Sequence, residues 1–243
     1  MTKNNIIKIS SLFMGVLLLS GCVNMTQIDT ATKEQSSLLP SKSMGNEPYW
    51  QVVLDDDRAK IDLPLAQKEL VFSELIKQQT SKGWSITTAK NSSLKIDYKN
   101  TICTDTMTGM PYPWQVELNL DGEKMMGCGG DSSELLIGEW QIEDINNQGI
   151  IDSSHITITF DNNNAYGSTG CNRYNIAYEL SGEGIKFNMG LSTKMACPEA
   201  IMNQENRFLD TLHKITHLSI DESGALIMSG ENVKLKAYKK ESK

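Results

Sequence analysis

The sequence lacks most of the marks of a nucleic-acid binder or an enzyme. It has no basic stripe. Its 23 Lys and Arg are outnumbered by 30 Asp and Glu, for a formal charge of −7, so phosphate backbones are poor partners. No two cysteines have close CxxC spacing, and the three histidines, His155, His213 and His217, are not arranged around them. That removes the usual zinc frameworks. No phosphate loop and no nucleophile–base arrangement is visible, so no catalytic residue, metal or cofactor is expected. Helix formers do not dominate either. Short Val-, Ile-, Tyr- and Trp-containing runs lie between Gly, Asn, Asp and Ser clusters, a pattern of strands and turns. With 39% hydrophobic and 22% charged residues, the composition suits one large folded domain or two small ones.

The N-terminus is basic at Lys3 and Lys8, then apolar from Ile9 to Leu19. That run falls short of the roughly 20 residues needed to span a bilayer and fits the core of a signal peptide. It ends in Leu19-Ser20-Gly21-Cys22. This tetrapeptide resembles the bacterial lipobox, in which small residues allow diacylglyceryl transfer to the thiol and cleavage ahead of it. The bland alternative is an ordinary signal peptide with an incidental cysteine. The resemblance implies acylation of Cys22, and three acyl chains exceed the two signals that stable anchoring requires. Val23, rather than Asp, follows the cysteine, which by the same resemblance implies sorting to the outer membrane, facing the periplasm. Removal of Lys3 and Lys8 with the leader brings the charge to about −9, so attachment should rest on the acyl chains and not on the body. Residues 23–44 are rich in Ser, Thr, Gln, Asn and Lys and read as a flexible tether reaching about 25 Å.

Setting Cys22 aside leaves Cys103, Cys128, Cys171 and Cys197, an even number in an exported chain. Three pairings are possible, with free buried thiols as the alternative. Cys103–Cys128 and Cys171–Cys197 is the expected pairing, because each bridge then stays within one half and closes a loop of similar length. Each bridge would restrict the unfolded chain by about 3 kcal/mol. The halves divide near Asp131–Leu136. The expected organisation is a signal peptide at 1–21, the lipidated cysteine and tether at 22–44, and two small β-rich, barrel-like antiparallel domains at 45–131 and 135–240. The fold class is mainly β with one principal helix.

In the first half, strands are expected at Trp50–Leu54, Glu69–Phe72, Gly83–Thr88, Ser93–Tyr98, Trp114–Leu120 and Glu123–Gly127. Trp114-Gln-Val-Glu-Leu-Asn-Leu120 alternates like a half-buried antiparallel strand, while Leu65–Lys77 fits a helical turn or a strand equally. Two segments stand out, Gly45-Asn46-Glu47-Pro48-Tyr49-Trp50 and Cys103-Thr104-Asp105-Thr106-Met107-Thr108-Gly109-Met110-Pro111-Tyr112-Pro113. They resemble a family of bacterial envelope lipoproteins with a G-N-E-P-[FY]-W opening, a C-x-D-x-M-[ST]-G-x-x-Y-P segment and a second cysteine after a strand. No activity comes with that resemblance. Glu47 and Asp105 read as turn residues that satisfy loop amides, with ligand contact as the alternative. Trp50 and Trp114 read as core, with ligand stacking as the alternative.

In the second half, strands at Glu139–Ile145, His155–Phe160, Ala165–Ser168, Asn175–Leu180 and Gly184–Asn188 precede one helix. Pro198 suits its first position, and Ile201, Phe208, Leu209, Leu212 and Ile215 share its apolar face. Strands at His217–Asp221, Ala225–Met228 and Val233–Tyr238 close the chain. Leu136-Ile-Gly138-Glu-Trp140, Gly167-Ser-Thr-Gly170-Cys171-Asn172-Arg173-Tyr174, Ser192-Thr193-Lys194-Met195-Ala196-Cys197-Pro198 and Glu205-x-x-Phe208 resemble the META domain of HslJ-like heat-shock lipoproteins. The resemblance implies a compact barrel-like sheet with a helix, and a link to envelope stress, drug tolerance, secretion or motility. Ile176 stands where the family usually has glycine, which puts the local turn geometry in question. Arg173 could lower the pKa of a reduced Cys171, but an oxidising compartment and Cys197 argue for a disulfide. Asn172 reads as a positive-φ or turn-bonding residue. His213 and His217, four apart on the expected helix, lack the glutamate of a zinc protease motif.

The expected function is therefore that of a non-catalytic, membrane-anchored envelope lipoprotein connected with stress or drug tolerance. Two further readings belong to other classes. A binder of small molecules or lipid tails needs an apolar cavity of a few hundred Å³. A protein-recognition module, such as an inhibitor of wall-degrading enzymes or a secretion accessory, needs an exposed apolar patch with a polar rim.

Overall fold

A computed structural model describes residues 39–89 and 93–240. Cys22, the signal peptide and most of the tether lie outside the described residues. The first half is built almost wholly of strands: β1 (Lys42–Asn46), β2 (Tyr49–Leu54), β3 (Arg58–Leu63), β4 (Lys68–Ser73), β5 (Leu75–Thr80), β6 (Gly83–Thr88), β7 (Leu94–Lys99), β8 (Cys103–Thr104), β9 (Pro111–Tyr112), β10 (Trp114–Leu120) and β11 (Glu123–Gly129). Nine of them form one antiparallel sheet in the order β4-β3-β2-β1-β11-β10-β7-β6-β5, and β8 pairs with β9 apart from it. The sheet's two edges, β4 and β5, are separated by the single residue Glu74, whose φ is 58°. The sheet therefore curls into a nearly closed barrel. Alternate residues point inward, so Trp50 and Val52 of β2, Ile61 of β3, Ile96 and Tyr98 of β7, and Val116 and Leu118 of β10 are fully buried together.

A single turn of helix, α1 (Ser133–Leu136), leads to the second sheet. Its strands are β12 (Gly138–Ile145), β13 (Gln148–Gly149), β14 (Thr157–Asp161), β15 (Asn164–Ser168), β16 (Arg173–Ser181), β17 (Gly184–Phe187), β18 (Leu191–Ser192), β19 (Ile215–Ile220), β20 (Leu226–Gly230) and β21 (Val233–Lys239). The main path runs β17-β16-β15-β14-β12-β21-β20-β19. A Cβ added to Gly184 of β17 would sit 2.1 Å from the Thr216 carbonyl oxygen of β19, so the two edges meet and this sheet too is nearly closed. Helix α2 (Glu199–Leu212) packs Phe208 and Leu212 into its core. The mainly β fold with one principal helix thus agrees with the sequence pattern.

Several boundaries differ from the sequence expectation. The tether gives way to structure before residue 45. Lys42–Met44 belong to β1, a central strand held between β2 and β11, with Ser43 buried and donating to the Tyr98 hydroxyl. The ladder's backbone hydrogen bonds fix this segment although its side chains look like linker. Pro198 is the N-cap of α2 and not its first turn residue, and Ile215 opens β19. His213 caps the helix while His217 lies on β19, so the two share no helical face. Ile176 is buried in the middle of β16, where a side chain fills core and no turn is required.

The halves also share a core. Met110, Tyr112 and Cys128 pack with Trp140, Phe160, Tyr178 and Phe187 of the second sheet. The segment around β8 and β9 therefore contributes to the second barrel's interior.

Candidate functional site

The two sequence motifs of the first half converge. Asn46 ends β1, Glu47 and Pro48 form the turn into β2, and the 103–108 loop lies over that turn. Asn46 Nδ2 donates to Asp105 Oδ2 at 2.8 Å and to Thr106 Oγ1 at 3.2 Å. Asp105 Oδ1 accepts from the Met107 amide at 3.0 Å, the Thr108 amide at 2.8 Å and the Thr108 hydroxyl at 3.0 Å. Burial opposes ionisation of this carboxyl. The donors from Thr108, Asn46 and Met107 outweigh it and hold Asp105 below the ordinary carboxylate range. The Cys103–Cys128 disulfide, with a Cα–Cα distance of 5.5 Å, fastens the loop to β11. A cleft of about 290 Å³ remains beside it, rimmed by Asn46, Glu47, Asp105, Gln115 and Met126.

Trp50 closes the same motif from inside. It is fully buried, and its indole lies against the glycines of the neighbouring strands. A Cβ on Gly45 would fall 2.3 Å from Trp50 Nε1, and one on Gly127 would fall 2.6 Å from its ring. Trp50 is thus core, as its pattern suggests, and Gly45 is required by the close approach. Trp114 is only half-buried and meets Tyr98 edge-on, with ring centroids 6.5 Å apart.

In the second half the motif residues form a buried polar knot. Glu205, on the buried face of α2, accepts from the Thr169 hydroxyl at 2.5 Å and from Asn172 Nδ2 at 3.0 and 3.1 Å. Asn172 Oδ1 accepts from the Thr193 hydroxyl at 2.8 Å and the Met195 amide at 2.7 Å. The preceding residue on the helix, Gln204, donates to Ser154 Oγ at 2.7 Å and accepts from the Ile151 amide at 2.8 Å. Cys171 is bonded to Cys197, with a Cα–Cα distance of 6.1 Å. Without a thiolate, neighbouring Arg173, which is exposed, has no nucleophile to activate. Only the backbone of Asn172 bonds its own turn, at Thr169, while its side chain reaches Glu205, Thr193 and Met195, and the positive φ there belongs to Gly170, at 94°.

Glu205 appeared in the sequence only as part of a motif, and Gln204, Thr169 and Ser154 not at all as a network. Their signal is faint but present: polar residues at 204, 205 and 211 interrupt the buried stripe of an amphipathic helix. Among the described residues no group of three or more His, Cys, Asp or Glu is placed to hold a metal, and no helix is long and apolar enough to cross a membrane.

These features define a class: a disulfide-stapled, barrel-like β protein whose motif residues secure turns and a docked helix. More specifically, residues 133–242 match the META domain family, and this half of the chain is a META domain. A solved structure similar to the chain is the NMR structure of a protein from Burkholderia xenovorans. It is 22% identical, with the match covering 46% of this chain and 88% of that one at a TM-score of 0.39. Comparison with curated proteins finds no match.

Proposed function

We propose that this protein is a non-catalytic lipoprotein of the bacterial envelope, anchored through acylated Cys22 to the outer membrane and facing the periplasm, with a body that recognises a partner. One observation carries the reading. The groups best suited to chemistry are already engaged: four cysteines in two disulfides, and the buried carboxylates of Asp105 and Glu205 in hydrogen bonds from neighbouring side chains and amides. Two disulfides also suit an oxidising compartment, and the META domain suits an envelope-associated protein with a part in stress or drug tolerance. Carriage of a lipid tail is less favoured, because the inward positions of both sheets are occupied by the protein's own side chains.

The test joins fractionation to labelling. Cells expressing the full chain are fed an alkyne-tagged palmitate, and envelope crosslinks are analysed by mass spectrometry. The expected result is label in the outer-membrane fraction that is lost in Cys22→Ser, together with a discrete crosslinked partner. An unlabelled chain among cytosolic proteins would refute the anchoring. A stoichiometric apolar molecule without a partner would replace recognition by carriage.

A further inference from the structure

We infer that the open end of the first barrel is a binding site for an anionic glycan, meaning pyranose rings that carry a carboxylate or phosphate. The inference deepens the recognition reading above. It depends on that reading only for the compartment in which such a ligand would be met.

A cleft of about 770 Å³ opens at this end, between the β5–β6 turn and the residues following β7. Its apolar walls are Trp84 and Trp114. Trp84 pairs across the sheet with Tyr98, and Tyr98 pairs with Val116, two residues beyond Trp114. All four therefore project from the inner face. Tyr98 and Val116 are fully buried, whereas the two tryptophans stand at the mouth, packed on the core and still part-exposed. Gly83 keeps the entrance narrow-walled, since a Cβ there would sit 2.1 Å from the Tyr98 carbonyl oxygen. The Asn100 amide donates to the Lys82 carbonyl at 2.9 Å and ties the two rims together.

The polar lining has one sign. Lys82 and Lys99 contribute to it and no Asp or Glu does, in a chain where acids outnumber bases. Lys82 forms no ion pair with a carboxylate among the described residues, whereas Lys99, next to inward-facing Tyr98 on the strand, lies on the face of Asp97 and helps hold that carboxyl below its ordinary range. An indole presents a negative face that complements the weakly positive C–H face of a pyranose. An ammonium is a compact charge suited to a carboxylate or phosphate, and the Asn100 and Thr101 side chains offer bonds to hydroxyls. Two ring platforms with the Lys82 cation at the rim fit a short acidic saccharide better than a wholly apolar ligand.

The experiment uses the full chain in detergent, titrated with tetragalacturonic acid, glucose 6-phosphate and neutral cellotetraose, and followed by indole N–H resonances and calorimetry. The expected result is that one or both acidic sugars shift the Trp84 and Trp114 signals and leave buried Trp50 and Trp140 in place. The acid that binds identifies the source of charge. Cellotetraose should bind about tenfold more weakly, and Lys82→Glu, at an exposed position, should weaken acidic-sugar binding about tenfold with an unchanged melting temperature. Trp84→Ala should abolish binding, and Trp84→Phe should restore part of it if folding suffers. Failure of both acids to bind, equal binding of the neutral sugar, or indifference to Lys82→Glu would overturn the inference. Binding by a protein that proves cytosolic would overturn the anchoring alone.

Discussion

Asp105 shows how a single carboxylate can organise a loop. Its oxygens accept from two backbone amides and two side chains, so Asp105→Ala should cost about 2–3 kcal/mol in urea denaturation. Asp105→Asn should not rescue it, because an amide nitrogen would then meet the Asn46 Nδ2 donor. The same group predicts a pH dependence. Its folded pKa lies below the ordinary 3.8, so the stability it contributes is fully present above that value and disappears as pH falls through the folded value. Stability curves measured from pH 6 downward should show an acid limb that flattens in Asp105→Asn. At the other knot, a double-mutant cycle of Asn172→Ala and Glu205→Ala should give a coupling of about 1–2 kcal/mol. Additive effects would mean that the two side chains do not act as one network.

At the level of elements, helix α2 is held by more than its apolar stripe. Phe208 and Leu212 bury its middle and end, Glu205 and Gln204 bind two separate loops, and Cys197 tethers the approach to it. Replacing Cys171 and Cys197 by serine should lower stability by about 3 kcal/mol, measured against the intact chain under non-reducing conditions. Strand β10 was legible because Val116, Leu118 and Leu120 alternate with Gln, Glu and Asn. Strand β1 was not, because Lys-Ser-Met-Gly-Asn has neither alternation nor branched residues. Its small residues answer to Trp50 and to the Tyr98 hydroxyl, partners that no local pattern announces. Gly45→Ala should therefore destabilise the first barrel by about 1–3 kcal/mol through overpacking, visible as a lowered denaturation midpoint.

At the level of the whole molecule, Met110 and Tyr112 bind the two sheets into a common structure. The sequence divides readily near Asp131–Leu136, and the ladders respect that division. The core does not, since a motif from the first half fills the second barrel. Tyr112→Ala should cost about 3 kcal/mol and lower the unfolding of the META half as well as its own. Calorimetry should give one transition for the parent chain, and residues 133–243 expressed alone should be less stable than the same residues in the full chain.

The sequence by itself determined the strand-rich class, the single long helix, the META segment and a cysteine set able to pair within each half. Those properties follow from local alternation, helical spacing and turn chemistry, which a linear chain displays. Only the tertiary structure decided that Asp105 and Glu205 are buried at the centre of hydrogen-bond shells, that Lys42–Met44 lie in a central strand, and that Tyr112 belongs to the other barrel's core. Burial depends on what packs opposite a residue, and the deciding partners, Asn46 for Asp105, Thr169 for Glu205 and Gly129 for Ser43, are dozens of positions away along the chain.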